Sequence, residues 1–511
     1  MTAELNTQKE RRSLQADTLA ASVVILLVAT VVQRSIGFGR GVLFCRWLSP
    51  ETLGEWEMVY SFLMLAAPLA VLGVPGSFGR YAEHYRQRGH LRTFLNRAAG
   101  WTAACTLATV LLMEWLAPEL SLLVFGSRDY ADSMRVIGLC LVSIILHHTL
   151  TALLTAMRLY RIVSAVNFVQ SLLFAAISLA LMWRRPEMLS ILYGYSAACL
   201  FASAGAIIWA WPALRNIDPP TDALVHSEFW GKLLRFAFFV WVTNLLTHLF
   251  AIVDRYMLVH CADMTPTEAL DQIGHYHASR IIPLLMVSVA ELMSGMVMPH
   301  LSHDWELGRR HEVSARLNLA IKLTSIGLLL FGACVIAAGP LLFDIVLEGR
   351  YGLGLQVLPW TVAGCVTYSV YLIAQNYLWC AEKNWLQTAP LALGLFANVV
   401  LNLALLPTLG LYGCALSTAG GACVCLASIL FLNHRHGMHI DRGTWLLVLA
   451  PLALGLGAWP AAMMCGLVVA VCLGSDLILN GVERTELKAF ALNSLAKVLP
   501  SLRRARTAVG G

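Results

Sequence analysis

The sequence predicts an all-α polytopic membrane protein with about fourteen transmembrane helices. Three observations carry this. Of 511 residues, 58% are hydrophobic and 13% charged, roughly half the charged share of a soluble domain, and the mean hydropathy is +0.69. Apolar runs long enough to cross a bilayer follow one another with short polar breaks. Lysine and arginine concentrate in alternate breaks, as the positive-inside rule requires.

A span needs ~20 apolar residues at a rise of ~1.5 Å each. That ruler places spans at 17–46, 53–83, 94–117, 134–156, 162–183, 188–211, 232–259, 273–299, 317–346, 355–381, 386–406, 409–432, 443–459 and 461–480. Lys9, Arg11 and Arg12 precede the first run as they would in a signal peptide. No small-x-small site follows, so the expectation is a cytoplasmic tail over 1–16 and a retained first span.

Loop charge sets the orientation. Even-numbered loops hold Arg86, Arg88, Arg92 and Arg97, then Arg158 and Arg161, Arg215 and Lys232, and Arg309, Arg310 and Arg316. The later ones hold Lys383, then Arg435 and Arg442. Odd loops hold mainly acids, among them Glu51, Glu55, Glu114, Glu119, Asp129, Asp263 and Glu268, with Arg128, Arg184, Arg185 and Arg350 as exceptions. Both termini are therefore expected in the cytoplasm, which an even span number also requires.

A polar linker at 212–231, with Asp218-Pro219-Pro220, divides an N-lobe (17–211) from a C-lobe (232–432) of six spans each. Two more spans occupy 443–480. The tail 483–511 carries Leu487, Phe490, Ala491, Leu495 and Val498 at helical spacing and ends in Arg503, Arg504 and Arg506. It reads as an amphipathic helix on the anionic inner leaflet. The two lobes resemble repeats. The first hairpin, 33–60, is echoed at 253–280: charge late in one span, an acidic turn, then glycine and an aromatic. Transporters commonly bind cargo between such repeats.

Ionisable residues at membrane depth mark function by default. Arg34, Arg40 and Arg46 are six apart, about 600° around a helix, so they do not share one stripe. Arg34 and Arg40 are the better cavity candidates; Arg46 lies near the outer interface, where a long side chain snorkels. Arg80 ends the second span. Asp254 and Arg255 are adjacent in the seventh span and Arg280 lies in the eighth. Each of these three either faces a cavity or pairs with a neighbouring helix. His147, His148 and His248 are candidates for a proton relay or for interhelix hydrogen bonds. A cavity rich in arginine and poor in acid suits an anionic ligand, because guanidinium binds phosphate or carboxylate bidentately.

The thirteen cysteines are scattered singly through apolar runs and read as buried packing residues. His434, His436 and His439 sit in a basic loop and read as a topology anchor, so no metal site is expected. There is no phosphate-binding glycine loop, zinc helix or nucleophile elbow, and no loop large enough for a catalytic domain. An enzyme is not expected, nor a nucleic-acid partner, nor a cofactor. Movement would draw on a proton or sodium gradient, on the membrane potential, or run downhill.

Several segments together resemble the multidrug/oligosaccharidyl-lipid/polysaccharide exporter superfamily. They are LSPETLGEW from Leu48, IGHYHASRIIPLLMVSVAELMSGMVMPHLS from Ile273, GRYGLGLQVLPW from Gly349 and LNLALLPTLGLYGCALSTA from Leu401. Within it the chain is similar to the polysaccharide-transporter (Wzx-type, O-antigen) flippases, with the lipid II flippases beside them. Cys414 stands where the family usually has alanine. The resemblance implies a two-lobed bundle in a bacterial inner membrane that opens alternately to each face. The implied cargo is a polyprenyl-pyrophosphate-linked oligosaccharide, moved from inner to outer leaflet for surface polysaccharide or cell-wall assembly. Implied partners are membrane lipids, a polysaccharide polymerase and glycosyltransferases. In lipid II flippases, arginines of the first, second and eighth spans are functional; the matching positions here are Arg34 or Arg40, Arg80 and Arg280. A cation-coupled multidrug exporter of the same superfamily and a membrane glycan polymerase or ligase remain as alternatives.

Overall fold

The computed structural model describes residues 19–215, 226–481 and 483–485. The expected N-terminal tail, the middle of the linker and nearly all of the amphipathic tail lie outside these residues. The chain is an all-helical polytopic membrane protein; every regular element among the described residues is a helix.

In order these are α1 (Leu19–Trp47), α2 (Pro50–Ala70), a 3-10 turn (Val74–Ser77), α3 (Phe78–Gln87), α4 (Leu91–Trp115), α5 (Ala117–Phe125), α6 (Ala131–Ala156), α7 (Tyr160–Met182), α8 (Met188–Arg215) and α9 (His226–Cys261). Then come α10 (Pro266–Glu306), α11 (Arg310–Leu341), a π turn (Leu342–Val346), α12 (Gly352–Ala374), α13 (Asn376–Cys380), α14 (Asn384–Arg435), α15 (Arg442–Leu449), α16 (Leu452–Gly455) and α17 (Ala458–Gly474). Seven stretches are long and apolar enough to cross a membrane, and two bent pairs bring this to nine: α2 with α3 at 64°, and α4 with α5 at 83°. Counting α14 as two spans across its kink, and adding α1, α9, the α15–α16 stretch and α17, gives the fourteen segments expected.

Local chemistry sets the breaks. Ser49 caps α2 by accepting from the Thr52 N–H at 3.2 Å, with Pro50 in the first turn, where its missing N–H costs nothing. Gly73, at φ +68°, ends the first part of the second span; a Cβ there would lie 2.7 Å from Trp241 Cβ. Gly410 breaks α14 at φ 50°, ψ −128°, a backbone region that only glycine enters readily. It falls at the second residue of the expected twelfth span, 409–432. One boundary differs from expectation: the sequence reading breaks spans thirteen and fourteen at Trp459-Pro460, whereas the structure breaks them at Gly457 (φ +105°). Pro460 then sits inside the first turn of α17, a position that tolerates proline.

The chain divides into two compact units, 1–285 with 339–358 and 391–421, and 286–338 with 359–390 and 422–511. In the first unit, α1 packs on α7, α8 on α6 and α7, and α9 on α2. The two echoed hairpins meet there in a self-complementary way. A Cβ on Gly54 would lie 1.8 Å from the Leu270 carbonyl oxygen, and one on Gly274 would lie 1.9 Å from that of Pro50. Glu57 touches His277, 220 residues away. The same shift carries Pro50 to Leu270 and Gly54 to Gly274, so residue i meets the repeat of j while j meets the repeat of i. That is the contact pattern of a two-fold axis, and it explains both glycines: helix backbones touch where no side chain fits. Gly54→Ala or Gly274→Ala is expected to cost about 2 kcal/mol, since backbone cannot yield as a side-chain tip can. Unchanged melting of both variants in size-exclusion thermal assays would contradict the contact.

In the second unit, a buried lysine organises the C-terminal pair. Lys322 on α11 is 1% exposed. Its ammonium donates to Asp441 at 3.0 Å and to Glu483 at 2.9 Å. One turn earlier, Asn318 donates to the His439 carbonyl at 2.7 Å and accepts from the Thr444 hydroxyl at 2.7 Å. Together these bonds hold the chain before α15 and after α17 to one helix. Lys322→Met leaves two carboxylates beside an apolar chain and is expected to cost about 3 kcal/mol. Equal thermal stability of wild type and variant would argue against that ordering role.

Candidate functional site

The first unit carries an aromatic cluster with a guanidinium on it. Phe44 of α1, Trp56 and Tyr60 of α2, Phe174 of α7 and Tyr195 of α8 have ring centroids 4.8–6.3 Å apart in contacting pairs. The Arg40 guanidinium stands 4.0 Å from the Phe174 centroid and 5.9 Å from that of Phe44. Desolvated cation–π contacts are worth about 2 kcal/mol, so the rings offset part of the cost of holding a cation at this depth. Tyr60 is 37% exposed, and both Arg34 and Arg40 lie within electrostatic reach of its hydroxyl. Arg34 is exposed and Arg40 half-buried.

Beside this cluster lies a buried charge network. Glu57, one turn before Tyr60, pairs with Arg255 of α9 at 2.7 Å and with His277 of α10 at 2.6 Å. Asp254 accepts from the Tyr276 hydroxyl at 2.9 Å, the Thr418 hydroxyl at 3.1 Å and the Arg255 backbone N–H at 2.9 Å. Arg255 also donates to the Ala251 carbonyl at 2.7 Å. Asp254 and Arg255 are 1% and 4% exposed. Arg255 Nε is buried without a hydrogen-bond partner, so the pair rests on the contacts just named, and removing one partner strands the other. Asn402 donates to Asn398 at 2.8 Å, and Asn398 to Thr418 at 3.3 Å, extending the network to α14.

Of the arginines singled out by sequence, Arg280 of α10 lies 5.1 Å from the Tyr276 ring centroid. Its Nη1 is buried without a hydrogen-bond partner. Among the described residues no ion pair holds Arg40 or Arg280. Arg80 is exposed on α3, beyond the 64° bend. Arg46 is instead paired: its Nε and Nη2 donate to Glu348 at 3.1 and 2.8 Å, and Arg350 donates to its carbonyl at 3.1 Å. The Glu348 carboxyl is held below its usual range, chiefly by the Arg46 hydrogen bond.

His147 is buried with its Nδ1 unpartnered, and its ring stands edge-on to exposed His148 at 6.0 Å. His248 is half-buried on α9. No group of three or more His, Cys, Asp or Glu able to hold a metal ion occurs among the described residues. Sequence reasoning missed Glu57, Tyr60 and the aromatic platform. The available signal was an acid one turn inside the second span, placed where the repeat carries His277.

A family model described as polysaccharide biosynthesis protein matches residues 19–303. No curated protein matches the chain. Among solved structures, the chain is similar to the lipid II flippase MurJ in an inward closed conformation. Identity there is 15% and the TM-score 0.68, covering 88% of this chain and 98% of that one. It is also similar to an inward-facing multidrug resistance MATE family transporter of the MOP superfamily, at 12% identity and TM-score 0.58, covering 81% and 98%. A MOP superfamily transporter from Pyrococcus furiosus matches at 14% identity and TM-score 0.56, covering 81% and 95%. At such identities the likeness is one of fold.

Proposed function

We propose that this chain, which belongs to the polysaccharide biosynthesis protein family, is a flippase that moves a polyprenyl-pyrophosphate-linked oligosaccharide from the inner to the outer leaflet of a bacterial cytoplasmic membrane. One observation carries the reading. The acids Glu57 and Asp254 are engaged inside the protein with Arg255, His277, Tyr276 and Thr418. Arg40 and Arg280 rest on aromatic rings. Guanidiniums held by rings keep their fork of donors for an anion, and a pyrophosphate matches that fork.

In this reading the cargo enters with its pyrophosphate toward Arg40 and Arg280, with Arg34 alongside and Arg80 nearer the cytoplasmic entrance. The lobes 17–211 and 232–432 rock about the repeat axis, and the lipid tail stays in the bilayer. Asp254 and Arg255 serve the hinge side of the site. His147, His148 and His248 would relay protons if a proton gradient drives the cycle. No bond is made or broken, so a glycosyltransferase must supply the cargo and a polymerase or ligase must consume it. Cationic-drug export on the same fold is the second reading; a cation would gain less from an arginine-bearing site. The test uses purified protein in vesicles loaded with fluorescent lipid-linked oligosaccharide. Appearance of label in the opposite leaflet, with no change in its mass, is expected. Export of a cationic dye with no lipid movement would favour the drug exporter, and a longer glycan would indicate a polymerase.

A further inference from the structure

His148, Asn244 and His248 stand in none of the networks above, and all three lie in the first unit. His148 is 14 residues into the fourth expected span, about 21 Å along it at ~1.5 Å per residue. The residue is exposed. The exposed apolar residues Leu139, Val142 and Leu146 of α6 recur at helical spacing and mark its lipid face. At ~100° per residue His148 lies roughly 120–180° around the helix from all three, so its exposed surface is turned away from lipid.

Asn244 and His248 are one turn apart on α9, in the middle of the seventh expected span. Asn244 is exposed and His248 half-buried. The same face of the helix continues through exposed Ala251 to Arg255, since positions i, i+4, i+7 and i+11 fall within about 60°. Arg255 is 4% exposed and pairs with Glu57 of α2. That face therefore looks onto protein, and the open space beside Asn244 and Ala251 ends at the ion pair. Polar groups exposed at this depth belong to a water-filled interior. His248 lies within electrostatic reach of His148, so α6 and α9 present their polar groups to one space. Among the described residues no hydrogen bond ties down the side chain of His148, Asn244 or His248.

We propose that His148, Asn244 and His248 form a subsite for the glycan of the cargo, and that it prefers sugars carrying an acetamido group. This rests on the flippase reading and deepens it. The N–H and the carbonyl of a planar trans amide point in opposite directions, so recognising both takes groups on two sides. Here α9 supplies the Asn244 carboxamide, which donates to the acetamido carbonyl, and α6 supplies an imidazole nitrogen of His148, which accepts from the acetamido N–H. His248, one turn from Asn244, is left for a neighbouring hydroxyl. None of the three offers the guanidinium fork that suits pyrophosphate, so the arginines take the anion and this wall takes the sugar.

The test is calorimetric binding of chitotetraose and cellotetraose, which differ only in acetamido against hydroxyl, to the full-length protein in detergent. Wild type is expected to bind chitotetraose about tenfold more tightly, the effect of one or two neutral hydrogen bonds. N244L should bring chitotetraose down to the level of cellotetraose. H148F, which keeps a ring but neither nitrogen, should narrow the preference to about threefold. Unchanged elution profiles show that both variants are folded. Equal or reversed binding of the two sugars by wild type, binding of neither, or the full preference retained in N244L overturns the subsite. So does an H148F variant whose only change is the pH dependence of lipid flipping, which would make His148 a proton carrier. The two readings fail separately. Lipid flipping without sugar discrimination removes this subsite alone, and sugar discrimination without lipid flipping removes the flippase reading alone.

Discussion

Replacing Arg255 by alanine is expected to destabilise the protein by about 3–5 kcal/mol, the cost of leaving a buried charge without its partner. Glu57 would keep only His277, in a site where the two side chains of the pair are 5% and 8% exposed. Glu57→Ala should cost a similar amount by stranding Arg255, which would retain Asp254 at 3.9 Å. The double variant Glu57→Gln/Arg255→Met removes both charges and should lose less than the sum of the singles. A coupling of at least about 1 kcal/mol is expected for residues in direct contact. Thermal unfolding of the purified variants reads this. Additive losses, or an Arg255→Ala variant as stable as wild type, would mean that the contact contributes nothing. The position gives the pair a further role. It joins α2 to α9, while His277 brings in α10, just inside the Gly54–Gly274 contact that closes the two hairpins on each other. Opening the hairpins must break it, so variants that fold should also show altered flipping rates.

Arg280→Ala and Arg40→Ala are each expected to lower lipid-linked oligosaccharide flipping by about 10- to 100-fold, the equivalent of one lost charge-assisted contact to phosphate. Stability should change little. Among the described residues neither change strands a carboxylate: Arg280 Nη1 is buried without a hydrogen-bond partner, and the Arg40 guanidinium lies over the Phe174 and Phe44 rings. Arg40→Lys keeps the charge but not the fork and should recover only part of the rate. Phe174→Leu separates support from recognition: it removes the ring beneath Arg40 and should lower flipping less than removing Arg40 itself. Near-wild-type flipping by both alanine variants would show that these arginines do not meet the cargo.

The course of the chain through the membrane was legible because apolar length is a local property. The break at Gly410 was legible for the same reason: a proline and two glycines interrupt a run that has no other polar punctuation. The sequence break at 459–460 lies two residues beyond the structural one at Gly457 because proline reads as a helix end, whereas this helix accepts it in its first turn. Pairing was the part that could not be read. Asp254 and Arg255 were visible as charges at membrane depth, but the carboxylate facing Arg255 lies 198 positions away, and nothing local couples them. Lys322 was passed over inside an apolar run for the same reason; its partners are 119 and 161 positions away. The echo of 33–60 at 253–280 was the one long-range signal in the sequence. It aligns Gly54 with Gly274 and Glu57 with His277, and those residues are where the hairpins meet. Arg46, read as an interfacial side chain, is held by Glu348 at that boundary.

The central claim is that guanidiniums held on aromatic rings recognise the pyrophosphate of a lipid-linked glycan. Its most direct test offers wild-type protein in vesicles two fluorescent lipids with the same glycan and the same polyprenyl chain, one joined through pyrophosphate and one through an uncharged ether. Rapid movement of the pyrophosphate lipid, with the ether lipid left near the protein-free rate, is the predicted result. Equal movement of both lipids, or of neither, would contradict it.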